Sequence, residues 1–263
     1  MKAPETTSRP GWPWKIFKSA LVMLFVTSLG GTALAQGKPV LRYVVDTGSD
    51  AWVPYMTPST APDKPGIVVE LSRMILKRAG IEGREVPIPE RRAANAYANS
   101  DVDFEWASPA WFPGNEFPET DLASVPVLPV REVLMFPKGD KQRWLMPQLI
   151  QGHKVGTIRG YTYRNSITFK RFDVSNEIDL VRMVGARQLP VAIIGELPGR
   201  YWARALNAKV GFGPVHSEGS LVIRLQGRFR KLLPRINDAI LALQSEGEVN
   251  RIVAKYIGGF DLN

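Results

Sequence analysis

From Leu41 onward, short runs of β-branched and aromatic residues alternate with segments whose apolar residues recur at helical spacing. LRYVVD (Leu41–Asp46) ends in the polar TGSD and predicts a buried strand. Over 66–79 Ile67, Leu71, Met74 and Ile75 fall on one helical face, and Gly80 stops the helix. REVPIP predicts a second strand, 91–98 a short helix and VDFEWA a third strand. Beyond a Pro-rich stretch (115–129), REVLMF predicts another strand and a second round begins. KVGTI predicts a strand, 161–170 a helix and 172–175 a short strand; Asn176 then caps a helix through Val184. Residues 190–194 predict a strand, ELPGRYWARAL a helix and SLVIRL a strand, before two helices marked by Ile236, Ile240 and Leu243 and by Val249, Ile252, Val253 and Tyr256. Strands alternating with helices imply an α/β fold with parallel sheets, and two such rounds imply two lobes.

The first 35 residues belong to a different pattern. Lys15 and Lys18 precede an apolar run from Ala20 to Leu29, and Ala33-Leu34-Ala35 follows. That order of charge, apolar run and small residues is a secretory signal, with cleavage expected after Ala35. The run is shorter than the ~20 residues that span a bilayer. The mature part is expected in the periplasm. This leader carries +3 of the formal net charge of +9, and the remaining basic residues are scattered rather than blocked. A solvated basic surface follows, with no nucleic-acid face. The chain has no Cys, which excludes disulfides and thiolate metal sites.

Catalytic signatures are missing. The two histidines, His153 and His216, have no metal-ligand spacing and are expected on loops or the surface. There is no G-x-S-x-G elbow, Walker A loop or G-x-G-x-x-G, since GFGPVH at Gly211 fails the last position. Asp101 and Asp103 form an acidic pair expected to be solvated. Nothing argues for an enzyme, a metal or a cofactor.

Binding chemistry remains. In open α/β sheets ligands sit beyond the carboxyl ends of strands, and three loops qualify. The first carries Trp52 and Tyr55; the second carries Ser108, Trp111 and Phe112; the third reads Arg159-Gly160-Tyr161-Thr162. In the third, glycine permits close backbone approach and the following helix would offer N–H groups to an anion. Gly195-Glu196 is a fourth position, where the Glu is equally well explained as a helix-dipole partner. Trp106 and Trp111 pose a choice between core and ligand wall.

The order of these segments resembles the family 3 extracellular solute-binding proteins, the periplasmic components of polar amino acid ABC transporters. PGIVVELSRMILKRAGI resembles the family's "G-x-x-x-D/E-L-x-x-x-I" helix, and PERRAANAYANSDVDFE its "W-x-R-x-x-x-x-x-x-x-G-x-x-D" segment. SVPVLPVREVLMF is similar to "S-x-P-Y" with a hinge strand, and KVGTIRGYTY to "V-G-V-x-x-G-T-T". INDAILALQSEGEVNRIVAKYIGG resembles the C-terminal "N-x-A-[IL]-x-x-L-x-x-[DE]-G-x-x-x-x-I-x-x-K-[WY]-x-G", the most specific of the matches. The resemblance covers residues 38–260. It implies a two-lobed periplasmic-binding-protein-like fold of type II with two hinge crossover strands. Lobe 1 would comprise 36–134 plus 221–263, and lobe 2 would comprise 135–220. A ligand would lie in the cleft, with Trp111 on its wall and Trp106 in the core.

Two departures bear on the ligand. The family's T-x-x-R clamp for an α-carboxylate is replaced by Ser108-Pro-Ala-Trp111, and the Asp that meets the α-ammonium has Glu196 as its nearest counterpart. The resemblance leaves Arg91, Arg92 or Arg159 to anchor any anionic group. It implies binding of a small polar, amino-acid-like or amine-bearing solute by a monomer that delivers it to an ABC transporter permease. The alternatives are a periplasmic enzyme of the same fold, such as a cyclohexadienyl dehydratase, and a ligand-sensing module.

Overall fold

The computed structural model describes residues 37–48, 52–58, 64–161, 163 and 167–258. The expected leader lies outside the described residues. The chain runs β1 (Val40–Val45), α1 (Ile67–Arg78), β2 (Glu82–Pro87), α2 (Ala93–Ala98), β3 (Phe104–Ala107), β4 (Asp121–Ala123) and β5 (Leu128–Pro137). It continues with β6 (Lys154–Ile158), β7 (Lys170–Val174), α3 (Glu177–Gly185), β8 (Ala192–Gly195), α4 (Glu196–Ala205), β9 (Val210–Gln226), α5 (Leu233–Ser245) and α6 (Glu248–Ile257). This is a mixed α/β molecule of the two-lobed binding-protein type, with β5 and β9 as its crossover strands.

The crossover pair explains how one chain carries two cores. β9 has 17 residues, far above the usual five or six. Its first part pairs antiparallel with β5, from Val210↔Pro137 to Leu221↔Leu128, and its last part pairs with β3 and β4. One core collects Leu41, Ile67, Leu71, Phe104, Leu221, Ile223, Ile236 and Ile252 around β1, β3, α1, α5 and α6. On the other side the side-chain period of two sorts β5 and β8 between opposite sheet faces. Val133, Met135, Ala192 and Ile194 pack with Leu180 and Val184 of α3. Leu134, Phe136, Val191 and Ile193 pack with Trp144 and Ile150 on the reverse face. Burial on both faces is why VLMF of β5 and VAII at β8 read as continuous apolar runs.

Several expectations are corrected. The larger sheet is mixed rather than parallel. Its order is β3-β9-β5-β8-β6-β7 with β4 on β9, and pairs on the crossover strands are antiparallel. Parallel pairing is confined to β1 with β2, and to β6 with its neighbours β7 and β8. The helix expected over 161–170 is not formed at its described positions. Gly152 N–H donates to Thr168 O (2.9 Å) and Lys170 N–H to His153 O (2.9 Å), which commits this backbone to the edge of β6 and β7. Tyr163, Ile167 and Phe169 pack on the reverse-face core. A strand, β4, forms within the Pro-rich stretch, where the sequence pattern predicts no element.

His216 lies in a strand and is buried, contrary to the surface or loop placement expected; His153 is exposed. Asp103 is likewise buried rather than solvated, while Asp101 is exposed. The Asp103 carboxylate accepts from Arg42 Nε (3.1 Å), Arg42 Nη2 (2.8 Å), the Arg42 backbone N–H (2.8 Å) and Arg228 Nη2 (2.7 Å). Among the described residues, no helix is long and apolar enough to cross a membrane.

Candidate functional site

A cavity of about 570 Å³ opens where the loop after β1, the exit of β3, the middle of β5 and the exit of β6 converge. That volume suits a small organic solute. Its first wall is aromatic. Trp52 stacks on Tyr55 with ring centroids 4.0 Å apart, and Trp111 meets Trp52 edge-on at 5.7 Å. Tyr55 is held there by backbone geometry. Gly66 takes φ of 111°, and a Cβ at that position would sit 2.4 Å from the Tyr55 carbonyl oxygen. Only glycine lets the start of α1 pass so close to the Tyr55 segment. The Gly66 N–H donates to the Tyr256 hydroxyl (2.9 Å), and Val68 N–H to Tyr55 O (3.0 Å). Burial, with the nearby charge of Glu196 adding to it, pushes the Tyr55 phenol well above its ordinary range.

Three carboxylates line the same cavity: Glu105 from β3, Glu132 from β5 and Glu177 at the start of α3. Each is half-buried, whereas the lining guanidinium residues Arg91 and Arg159 are exposed. Glu105 is paired: Arg224 Nη1 donates to it at 2.8 Å, and the same guanidinium reaches Asp121. Arg224 is in turn set 4.6 Å from the ring centroids of Tyr97 and of Phe112. Burial raises the Glu105 carboxyl above the usual carboxylate range despite Arg224, and Asp121 adds to the rise. Glu132 accepts a hydrogen bond from the Ser217 hydroxyl and lies 3.6 Å from His216 Nδ1. Glu177 accepts from the Tyr161 hydroxyl (3.2 Å), and burial raises its carboxyl too. Among the described residues, neither Glu132 nor Glu177 has an Arg or Lys within ion-pair distance.

The residues singled out from sequence divide into two sets. Trp52, Tyr55, Trp111, Phe112, Arg91, Arg159 and Tyr161 are brought to the cavity. Arg92 is exposed and away from its lining, on the same 3₁₀ turn as Arg91. Ser108 is buried behind the wall, against β9. A Cβ on Gly219 would come within 2.6 Å of its hydroxyl oxygen, so that glycine lets the 109–111 turn lie on the crossover strand. Glu196 starts α4 beside the cavity but is engaged internally. It accepts from Arg200 Nη2 (2.9 Å) and lies 4.0 Å from Arg131 Nη1. Thr162 lies outside the described residues. Trp106 belongs to the first core, with its indole N–H donating to Ser72 Oγ (2.9 Å), and its edge also reaches the cavity.

Sequence reasoning missed all three lining carboxylates. Glu132 had a signal, as an acid beside Arg131 in a central strand that is otherwise largely apolar. Glu105 had the same signal within FEWA. Glu177 had none, because an acid in a helix's first turn is ordinary dipole chemistry.

No protein-family model matches the chain, and no curated protein matches it. Solved structures do. The GluR0 ligand-binding core in complex with L-glutamate superposes with a TM-score of 0.68 at 14% identity, covering 84% of this chain and 100% of that one. The L-cystine solute receptor of Neisseria gonorrhoeae, in its unliganded open conformation, gives 0.62 at 14% identity, covering 84% and 94%. A histidine kinase sensor domain with similarity to periplasmic binding proteins gives 0.61 at 18% identity, covering 84% and 96%. At these identities the likeness establishes the fold.

Proposed function

We propose that this chain is an extracellular solute-binding protein of the family 3 type, which holds a small polar solute in the cavity and delivers it to an ABC permease. The carrying observation is the convergence on one cavity of aromatic residues from the loop after β1 with a carboxylate on the crossover strand β5. The fold adds support, since the GluR0 core binds L-glutamate and the gonococcal protein is a solute receptor for L-cystine. Lobe 1 is assigned to 36–134 plus 221–263 and lobe 2 to 135–220. The separate cores on either side of β5 and β9 favour that division. Closure of the lobes about these strands buries the solute. The mature protein is read as a monomer in the periplasm, and the leader-like first 35 residues support that location. On this reading it is a carrier and not an enzyme. Turnover of prephenate or arogenate by the purified protein is the outcome that would make it one.

A sensing role is the second reading, favoured by the likeness to the kinase sensor domain. A thermal-shift screen of the mature chain tests the binding reading. A saturable rise is expected with some small polar solute, equivalent to about 2.7 kcal/mol at a hundred times the Kd. Trp111→Ala should reduce the rise. If the rise is unchanged in Trp111→Ala, the solute binds elsewhere. Disruption of a neighbouring permease gene that leaves uptake of that solute intact would favour sensing.

A further inference from the structure

The charge layout of the cavity says more about its ligand than the fold does. Glu132 and Glu177 present carboxylates to a half-enclosed space, and their hydrogen-bond donors are the hydroxyls of Ser217 and Tyr161, which are neutral. The cavity is also lined by Trp52, whose ring is stacked on the buried Tyr55. Among the described lining residues, those of opposite sign, Arg91 and Arg159, are exposed. A carboxylate partly removed from water without a cation is unfavourable, and it is relieved when a positive charge enters with the ligand. Aromatic faces hold the same charge through their negative quadrupole. An anionic ligand meets the reverse: two like charges in a low-dielectric space, with its guanidinium partners at the solvent side.

We infer that the cavity takes a small organic cation, an amine, guanidinium or quaternary ammonium compound, whose charge sits against Glu132 and Glu177 and whose apolar body lies on Trp52. This inference rests on the reading of the cavity as the solute site. It places one of the two charge partners on a crossover strand. Glu132 lies opposite Gly195 of β8 and Ser217 of β9, so ligand contact there is made where the two cores join.

Calorimetric titration of the mature chain with putrescine, agmatine, choline, L-glutamate and succinate tests the binding arm. At least one of the three cations should bind. Its affinity should fall tenfold or more in Glu132→Gln and in Glu177→Gln, with melting temperatures near wild type showing that both variants fold. Binding of glutamate or succinate with no binding of any cation keeps the solute-site reading and overturns the charge assignment. Quenching of Trp111 fluorescence, obtained by difference from Trp111→Phe, gives the sign without any ligand. Caesium should quench more effectively than iodide relative to free tryptophan, and the Glu132→Gln/Glu177→Gln double variant should lose that preference. Preferential quenching by iodide in the wild type overturns the inference, whatever the titrations give.

Discussion

Asp103 and Glu132 are both acids drawn out of water in a β-rich setting, yet their surroundings are opposite. Asp103 is 3% exposed and is met by two guanidiniums and a backbone N–H. Burial works against its charge, but the Arg42 and Arg228 hydrogen bonds outweigh it and hold the carboxyl below the usual range. Glu132 has a hydroxyl and a His ring edge as partners, and opens onto a cavity. The first site is complete within the chain: it ties Arg42 on β1 to Arg228 beyond β9. Among the described residues, the second has no Arg or Lys partner. Burial alone does not separate a structural acid from a ligand-facing one; the supply of internal cations does.

The largest expected effect tests the complete site. Asp103→Asn removes the charge that both guanidiniums share, and should cost about 3 kcal/mol of stability in urea denaturation. Ligand affinity should be unchanged. A loss below about 1 kcal/mol would mean the Arg42 and Arg228 contacts are no more than surface pairs. The open site should respond in the other direction. Glu177→Gln removes an ionised group that burial disfavours, so stability at neutral pH should be unchanged or slightly higher while cation binding falls. Marked destabilisation would show that Glu177 is a structural partner like Asp103.

Acid should separate the two sites by sign. The Asp103 carboxyl is lowered in the fold, so the stability it contributes is present above its ordinary 3.8 and is lost as pH falls through the lower folded value. Glu177 is raised above 4.5, so its ionised form is a penalty that grows as pH rises through the folded value and vanishes below 4.5. The stability difference between wild type and Glu177→Gln should therefore disappear in acid, and the affinity for a cation should fall there. Melting curves of both proteins across pH 3.5 to 7.5 give the comparison; a difference that widens in acid would reverse the assignment. The smallest effect is expected at Trp111, 39% exposed at the cavity edge. Trp111→Ala should alter stability by about 0.5 kcal/mol, since its surroundings are already wet. It should weaken binding by roughly 0.5–2 kcal/mol, which titration reads directly.

The fold was legible wherever local pattern and tertiary demand agreed. KVGTI is β6 as expected, and Asn176 Oδ1 accepts the Asp179 N–H (2.8 Å) at the predicted cap of α3. Legibility failed where pairing partners are remote. Residues 167–170 have helix-compatible composition but are claimed by β6 and β7, and β4 exists because β9 is long enough to pair with it. Parallel pairing could not be told from antiparallel, because a strand buried on both faces has the same apolar signature in either direction. The aromatic wall was legible because Trp52, Tyr55 and Trp111 are large side chains in loops. The acidic side was not. Whether Glu132, Asp103 or Glu196 meets an arginine or a cavity depends on residues 61 to 125 positions away in some cases and four in another, and no spacing rule carries that information.

The most direct test of the account is native mass spectrometry of the mature protein, recovered from the periplasm of its own cells, beside the Trp111→Ala/Glu132→Gln double variant recovered in the same way. Wild type is predicted to carry one small, positively charged organic molecule per chain, and the double variant to carry none. The same molecule retained at equal occupancy by both proteins, or an anionic one bound by the wild type, would contradict it.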